Sequence, residues 1–460
     1  MPPDIACGRL SDDMLARNFA DAHPGLTAEQ AALEADRCFY CYDAPCIEAC
    51  PTDIDIPRFI KAIASKNTAG AARTILQSNI LGGSCARVCP TEILCEQKCV
   101  HTAIETHKPV RIGALQRFAT DWQMAQPAHP FGRAAPTGRH VAVMGAGPAG
   151  LACAHRLAML GHDVTLYDRH TRPGGLNEYG VAAYKLADDF AQKEIDFLFA
   201  IGGITYRGGT VLGETLSLAT LRQEHDAVFL AIGLSGVRAL GLPDESIHGV
   251  QDAVAFIEDL RSQPLATTPV GRRVVVIGGG NTAIDAAVQA RRLGAEEVTL
   301  VYRRGEATMS ATEVERDWAQ TNGVTLRLWA APIRLETEAG ALTGVTFRRT
   351  DPPSVSGTLP GMPPQAPPAE FTLGADMVLK AIGQVFIPDP IAQDQILVEN
   401  GRLVVDEKGR TTLGGVYAGG DCTAGEDLTV AAVRDGREAA KAIHDDLTLT
   451  DLSSSRTGAP

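Results

Sequence analysis

Eight cysteines between positions 38 and 99 are the residues whose spacing most directly suggests chemistry. They fall in two runs, Cys38-x2-Cys41-x4-Cys46-x3-Cys50-Pro51 and Cys85-x3-Cys89-Pro90-x4-Cys95-x3-Cys99. Close runs of cysteine with a Cys-Pro step hold iron–sulfur clusters, often with one thiolate crossing to the neighbouring cluster. The spacing here is wider than the bacterial ferredoxin run but similar in kind. Eight thiols suffice for two four-cysteine sites, although nothing requires all eight to be ligands. Structural zinc is the first alternative. It usually shows paired CxxC elements, and only Cys38/Cys41 has that spacing. Free structural thiols are the second, and so many crowded together are a redox liability unless metal occupies them. The remaining cysteines of the total of 11 are Cys7, Cys153 and Cys422. No CxxC lies beyond Cys41, so a dithiol redox pair in the body of the chain is not expected, and Cys422 reads as buried filler.

Two glycine-rich turns carry the other chemistry. In Gly145-x-Gly147-x-x-Gly150 the first glycine allows a tight turn, the second lets backbone approach a pyrophosphate, and the third lets helix and strand pack closely. The helix start then offers free N–H groups and a favourable dipole to the phosphates. An acid about 20 residues on should hold the ribose hydroxyls, and Asp168 ends the following strand. The second turn is Gly278-x-Gly280-Asn281-Thr282-Ala283, with alanine in the third place. Where the first unit has Asp168, the second has Arg303 and Arg304. Guanidinium forks bind a 2′-phosphate that a carboxylate would repel. NADPH is therefore expected there, with NADH possible.

Two dinucleotide units imply two dinucleotides, most simply FAD and NAD(P)H. The segment Gly414-Gly-Val-Tyr-Ala-Gly-Gly420-Asp421-Cys-Thr is similar to the Gly-Asp motif of two-dinucleotide flavoprotein reductases. That similarity implies that Asp421 binds the ribityl chain. It also implies that Thr429-Val430, starting the next helix, faces the isoalloxazine. Gly174-Gly175-Leu176 is similar to the loop that covers FAD in those proteins.

These residues need elements to position them. Residues 1–125 read as a helical domain. Thr27 and Gln30 form a capping box before Ala31–Ala35. Pro57 fits the first turn of a helix that puts Phe59, Ile60 and Ile63 on one face. Another helix is expected over 69–77. Such short helices bury little alone, and a shared metal core would hold them together. Residues 126–138 are Pro/Gly-rich and read as a linker. Apolar strands at His140–Met144 and Asp163–Tyr167 flank the first motif, and strands at Arg273–Ile277 and Glu297–Tyr302 flank the second. Ala227-Val-Phe-Leu-Ala-Ile-Gly233 also echoes Met377-Val-Leu-Lys-Ala-Ile-Gly383. The expected fold is α plus α/β: an all-α iron–sulfur domain, then two Rossmann-like domains, the second inserted in the first. FAD is assigned to 139–265 and 384–448, and NAD(P)H to 266–383. Pro352–Pro368 is expected as a surface loop and 449–460 as a tail.

The 460 residues and formal net charge of −13 fit several ordinary globular domains at roughly 150 residues each. An acidic surface argues against nucleic-acid binding and against docking on anionic lipid. No apolar run is long enough to span a membrane, and the N-terminus lacks a signal-peptide pattern. The cytoplasm, where thiols stay reduced, is the expected compartment.

From about residue 28 to 447 the chain resembles the N-terminal half of dihydropyrimidine dehydrogenase and its separate bacterial flavin subunit. More distantly it resembles the glutamate synthase small subunit. The stretches that carry this are Arg37-Cys-Phe-Tyr-Cys-Tyr-Asp-Ala-Pro-Cys-Ile-Glu-Ala-Cys-Pro-Thr52 and Gly83-Ser-Cys-Ala-Arg-Val-Cys-Pro-Thr-Glu-Ile-Leu-Cys95. The resemblance implies two [4Fe-4S] clusters, one on Cys38, Cys41, Cys46 and Cys99, the other on Cys50, Cys89, Cys95 and Gln116. Cys85 would then be a non-ligand. Gln116 follows from the resemblance alone, since its own context reads as an ordinary helix glutamine. Asp168 departs from the family's usual glutamate. The implied role is electron input. Hydride passes from NAD(P)H to FAD, then single electrons pass through the clusters to a partner FMN subunit that reduces uracil or thymine. The barrel such a subunit needs is about 250 residues, more than remains after the FAD helix. A partner is therefore expected, no catalytic nucleophile is named, and His101 and His107 are expected near the cysteines without ligating. A glutamate synthase small subunit and a non-catalytic module stabilised by flavin and metal are the alternatives.

Overall fold

The computed structural model describes residues 4–104, 107–350 and 369–457. The expected loop over 352–368 lies outside them. The chain divides into two compact units. One comprises His23–Glu178, Asp188–Gly236 and Val385–Pro460, the other Met1–Ala22, Tyr179–Ala187 and Val237–Gln384.

The first unit begins with short helices whose caps are written in the sequence. Ala28–Ala35 starts on the Thr27/Gln30 capping box. Ile56–Ala64 starts on Asp55, whose side chain accepts from Arg58 N, with proline in its first turn. Thr68–Ser78 starts on Asn67. Phe59, Ile60, Ile63, Ile75 and Leu115 form their common core together with Cys50, Cys85 and Cys95. The cysteines are therefore part of the apolar interior, not a surface loop. Behind them lies a parallel sheet ordered Val416–Ala418, Ala227–Leu230, His140–Met144, Asp163–Tyr167, Ile204–Arg207. The helix Thr429–Thr457 packs on Pro148–Met159. A Cβ on Gly436 would lie 2.0 Å from the Ala149 carbonyl, so these two helices meet backbone to backbone. The 126–138 segment is fastened rather than loose: Ala134 N donates to Met159 O at 2.9 Å and Thr137 N to Gly161 O at 3.0 Å. The final helix carries its backbone past residue 449, where a tail was expected. Residues 458–460 lie outside the described part.

The second unit holds a parallel sheet ordered Thr325–Arg327, Glu297–Val301, Arg273–Gly278, Met377–Ala381, Val250–Asp252. An antiparallel sheet of Ala330–Glu338, Ala341–Arg349 and Glu370–Gly374 accompanies it. Three segments differ from expectation, the shortest being Tyr179–Ala187, which lies inside the range assigned to FAD but belongs to this unit. Residues 250–262, assigned to the FAD half, belong here: Val250 pairs with Val378, and Phe256, Ile257 and Leu260 enter this core. The apolar face of the Ala253–Ser262 helix is covered by Asn281–Arg292, which decides its allegiance. Residues 4–22, expected with the iron–sulfur helices, pack on this core. Ile5 pairs with Gly271, Leu15 and Phe19 join the core, and Asn18 exchanges hydrogen bonds with Arg292. These contacts are long-range, and local pattern does not encode them.

The echo between the Ala-Ile-Gly segments has a packing cause. Ala227–Leu230 and Met377–Ala381 each lie beside the strand that leads into a glycine turn. A Cβ on Gly145 would sit 2.1 Å from the Ala231 carbonyl, and one on Gly278 would sit 2.2 Å from that of Ala381. Each first glycine is thus required by the same neighbour. Among the described residues no helix is long and apolar enough to cross a membrane.

Candidate functional site

The helical part of the first unit gathers the eight clustered cysteines around two cavities. Cys38, Cys41, Cys46 and Cys99 line the first. Cys50, Cys85, Cys89, Cys95 and Gln116 line the second. The second run of cysteines is therefore split: its last member joins the first three of the first run. Cys50 crosses the other way. Ile56 lines both cavities, so the two lie side by side. Val430 lines the second.

Local structure explains how each thiol reaches its cavity. Tyr40 and Ala44 have φ of 52° and 36°, turning the chain sharply on either side of Cys41. Non-glycine residues in this region cost about 1–3 kcal/mol each and persist where surroundings over-determine them, often at ligand clamps. Cys46 lies on the short helix Pro45–Glu48. The helix Gly82–Val88 carries Cys85 and ends on Cys89, whose N–H donates to the Cys85 carbonyl. His101 lines the first cavity, with Nε2 2.7 Å from the Arg37 carbonyl and its ring stacked on Phe39. It steadies the segment entering Cys38.

Burial pushes Cys38, Cys46, Cys89 and Cys95 toward the neutral form. Cys46 is raised to about 12, by burial first and then by Cys38 and Cys99. Cys89 and Cys95 are raised well above the usual thiol value, again by burial first. Metal ligation requires thiolate, so only a strongly electrophilic centre would displace these protons. Cys85 is equally buried and lies beside Asn79. Gln116 donates from Nε2 to the Gly82 carbonyl at 2.7 Å, which leaves its oxygen as the atom it can offer a metal.

The remaining expected residues of this unit converge on the start of the Pro148–Met159 helix. Gly147 is its N-cap, with no side-chain cap to occupy the first N–H groups. Gly150 is forced by closeness: a Cβ would lie 1.8 Å from the Gly145 carbonyl. A Cβ on Gly175 would lie 2.6 Å from Gly147 Cα, so the loop that runs into Leu176 lies over the glycine turn. Gly420 sits against Ala149 from the other side. Asp168 Oδ2 accepts from Ala146 N at 2.6 Å and Oδ1 from His170 N at 2.8 Å, so this acid also clamps the turn. Asp421 is pushed up to about 6, by burial first and then by Asp427, with Arg402 opposing. Thr429 donates to Asn177 Oδ1 at 3.0 Å, tying the last helix to the Leu176–Tyr179 turn. Cys422 is buried, its thiol facing the carbonyls of Leu230 and Gly419.

In the second unit Gly280 is the N-cap of Asn281–Arg292, again without a side-chain cap. Thr282 lies in its first turn and Ala283 is fully buried. Asn281 Oδ1 is buried without a hydrogen-bond partner, an amide that a bound nucleotide could complete. Arg303 and Arg304 are exposed, with Arg304 over the Tyr302 ring at 5.5 Å.

Two buried ionic features escaped the reading of motifs. Lys185 Nζ lies 2.7 Å from Asp285 and 2.6 Å from Glu315. Glu194 caps the Gly82–Val88 helix. A signal existed for both: Glu194 interrupts the stripe of Phe190, Ala191, Ile195 and Leu198, and Asp285 interrupts that of Ile284 and Val288.

Residues 15–128 match the family model described as dihydropyrimidine dehydrogenase domain II, 4Fe-4S cluster. Residues 139–436 match that described as pyridine nucleotide-disulphide oxidoreductase. The NAD-dependent dihydropyrimidine dehydrogenase subunit PreT of Salmonella typhimurium is 35% identical over 432 residues, covering 94% of this chain and 98% of that protein. The glutamate synthase [NADPH] small chain of Azospirillum brasilense is 32% identical over 443 residues, covering 93% and 91%. Among solved structures, FprA from Mycobacterium tuberculosis superposes with a TM-score of 0.55 at 19% identity, covering 69% of this chain and 86% of that one. Thioredoxin reductase from T. acidophilum gives 0.51 at 19%, covering 67% and 99%. These two likenesses speak to fold alone. The chain belongs to the pyridine nucleotide-disulphide oxidoreductase family, joined to a 4Fe-4S domain of the dihydropyrimidine dehydrogenase type, and is a relative of the PreT subunits and the glutamate synthase small chains.

Proposed function

We propose that the protein is the electron-input subunit of a dihydropyrimidine dehydrogenase, with FAD, NADPH and two [4Fe-4S] clusters, and with a partner FMN subunit that reduces uracil or thymine. The observation that carries this is the partition of the clustered cysteines into two cavities, both lined by Ile56, with Val430 lining the second. Among the described residues no three His, Cys, Asp or Glu side chains are arranged to hold a single ion. Zinc draws its thiolates to about 2.3 Å from one point, whereas an iron–sulfur cube keeps its ligands apart. Four thiols around a cavity without a single-ion geometry fit the cube better.

When bound, the nicotinamide would supply hydride, the flavin would convert a two-electron donor into single electrons, and the clusters would carry those electrons. The protein's part is positioning. The uncapped N–H groups at Gly147 and at Gly280 offer two anion sites, for FAD and for NADPH. Asp168 would accept from ribose while holding Ala146. Asp421 would accept from the ribityl chain, with Gly175, Leu176 and Gly420 walling the site. Thr429 and Val430, at the start of the last helix, would face the flavin ring. Because Val430 also lines the second cavity, Cys50, Cys89, Cys95 and Gln116 would hold the cluster nearer the flavin. Cys38, Cys41, Cys46 and Cys99 would hold the one farther along. No side chain is assigned as acid or base for the hydride step.

The second nucleotide unit is read as an insertion in the first. Its exposed Arg303 and Arg304 favour NADPH, as in the name of the glutamate synthase [NADPH] small chain, whereas the PreT relative is named NAD-dependent. Reduced, metal-bound thiols suit the cytoplasm. Anaerobic co-purification with the native partner tests the reading, with iron, FAD and FMN counted per chain. Recovery of an FMN protein and two clusters supports it. Recovery of a large amidotransferase subunit favours a glutamate synthase. Failure of both NADH and NADPH to bleach the bound flavin sinks both electron-transfer readings.

A further inference from the structure

The Gly82–Val88 helix sits between two unusual partners. On one side the Gly82 carbonyl receives Gln116 Nε2 at 2.7 Å. On the other, Glu194 grips the next two residues. Its Oε1 accepts from Gly83 N at 2.8 Å and Ser84 N at 3.0 Å, and its Oε2 accepts from Ser84 N at 3.2 Å and from the Ser84 hydroxyl. Glu194 is 1% exposed. A carboxylate is buried at a large desolvation cost unless hydrogen bonds offset it, so its place in an otherwise apolar stripe calls for a reason. The fit is close: a Cβ on Gly83 would lie 2.7 Å from Phe190 Cζ and 2.8 Å from Glu194 Oε1. Glu194 touches neither glycine turn, so the nucleotide sites do not explain it.

We propose that Glu194 is a positioning residue for Gln116: by holding Gly83 and Ser84 it fixes the Gly82 carbonyl, which takes the Gln116 amide nitrogen and turns Gln116 Oε1 to the second cysteine cavity. An amide can present either its oxygen or its nitrogen, and only the oxygen has a lone pair for iron. A neutral oxygen is also a weaker ligand than thiolate, so its orientation must be built in. Outer partners that orient a ligand tune metal affinity and potential. Cys85, carried by the same helix, is then held out of ligation although it lines the same cavity. The proposal rests on the reading of Gln116 as that site's fourth ligand.

The test uses the full chain, purified anaerobically, with Gln116→Ala, Glu194→Gln, Ser84→Ala and the Gln116/Glu194 double variant. Iron per chain, the electron paramagnetic resonance signal of the reduced clusters and the midpoint potentials are read for each. Glu194→Gln replaces one accepting oxygen with an NH2, which can no longer accept from the Ser84 N–H and hydroxyl. It should shift the signal of the same cluster that Gln116→Ala shifts, and change its reduction equilibrium at least tenfold, about 59 mV for one electron. Ser84→Ala should move the same signal less, and the double variant should match Gln116→Ala alone. If Gln116→Ala alters the cluster while Glu194→Gln and Ser84→Ala leave it as in wild type, the positioning role is wrong and the ligand reading survives. If Gln116→Ala itself changes neither iron, signal nor potential, the ligand reading fails and the positioning role with it. If the Glu194 effect persists in full on the Gln116→Ala background, Glu194 acts independently and the proposal is overturned. Should Glu194→Gln not fold, Ser84→Ala with and without Gln116→Ala decides the same comparison.

Discussion

Replacing Lys185 with methionine should destabilise the second unit heavily and loosen its nucleotide helix. Lys185 is 9% exposed, lies 2.7 Å from Asp285 and 2.6 Å from Glu315, and those carboxylates are 7% and 20% exposed. At an effective dielectric of 20, each contact is a gross attraction of about 6 kcal/mol. Desolvation of three ions offsets most of this. The larger effect is what a deletion leaves behind, namely the buried Asp285 and the part-buried Glu315 without this shared cation. Removing one partner of a buried pair costs about 3–5 kcal/mol. For a domain of this size, that lowers the melting temperature by about 6–20 °C. Burial opposes the charge on Lys185, but Asp285 and Glu315 together raise its pKa above the ordinary value. A raised lysine pKa contributes stability that is present below the unfolded value and is lost only as pH climbs through the folded one. The difference between wild type and K185M should therefore be constant across neutral pH and shrink only in strong alkali. Asp285 is on the Asn281–Arg292 helix, so KM for NADPH should rise while the flavin content stays constant. Thermal melting of K185M, D285N and the double variant measures this, with the double variant losing less than the summed singles. A K185M loss below about 1 kcal/mol, or strict additivity, would refute the argument that buried, unpaired charge is the source.

Arg303→Ala with Arg304→Ala should lower kcat/KM for NADPH at least tenfold, since each charged hydrogen bond is worth about 1.5–3 kcal/mol. NADH use should barely change, and an unchanged NADPH/NADH ratio would remove the 2′-phosphate assignment. Cys89→Ser should lose the iron of one cluster, whereas Cys85→Ala should keep full iron; loss of iron in the latter would make Cys85 the ligand. Asp421 is raised to about 6. A carboxylate raised in the folded state contributes stability below its unfolded value that is lost as pH rises through the folded one. Flavin-free wild type should therefore fall behind Asp421→Asn as pH goes from 4 to 6, by about 2–3 kcal/mol at pH 7. Parallel pH–stability curves for the two proteins would show that Asp421 is not the buried group responsible.

The parts of the fold legible in the sequence were those set by short-range chemistry. The Thr27/Gln30 capping box and Pro57 placed helix starts, because capping is settled within three or four residues. The glycine turns, with their flanking strands, were legible because a Cβ on Gly145 would lie 2.1 Å from the Ala231 carbonyl, so only glycine fits there. The Ala253–Ser262 helix was misassigned because its apolar face says that it is buried, not against which sheet. The packing of the N-terminal segment was hidden for the same reason: Leu15 and Phe19 signal burial, and only their partners show where.

The sequence by itself determined the chemistry on offer: eight clustered thiols, two uncapped glycine turns, an acid after one and two arginines after the other. It did so because ligand type, turn conformation and helix start depend on neighbours within one turn of chain. Only the tertiary structure decided how the thiols are shared, with Cys99 joining Cys38, Cys41 and Cys46 while Cys50 joins Cys89 and Cys95. It alone placed Ile56 on both cavities and Val430 on one of them, and it alone showed which distant partners Lys185 and Glu194 meet. Those are facts about which distant surfaces exclude water together, and no local pattern records them.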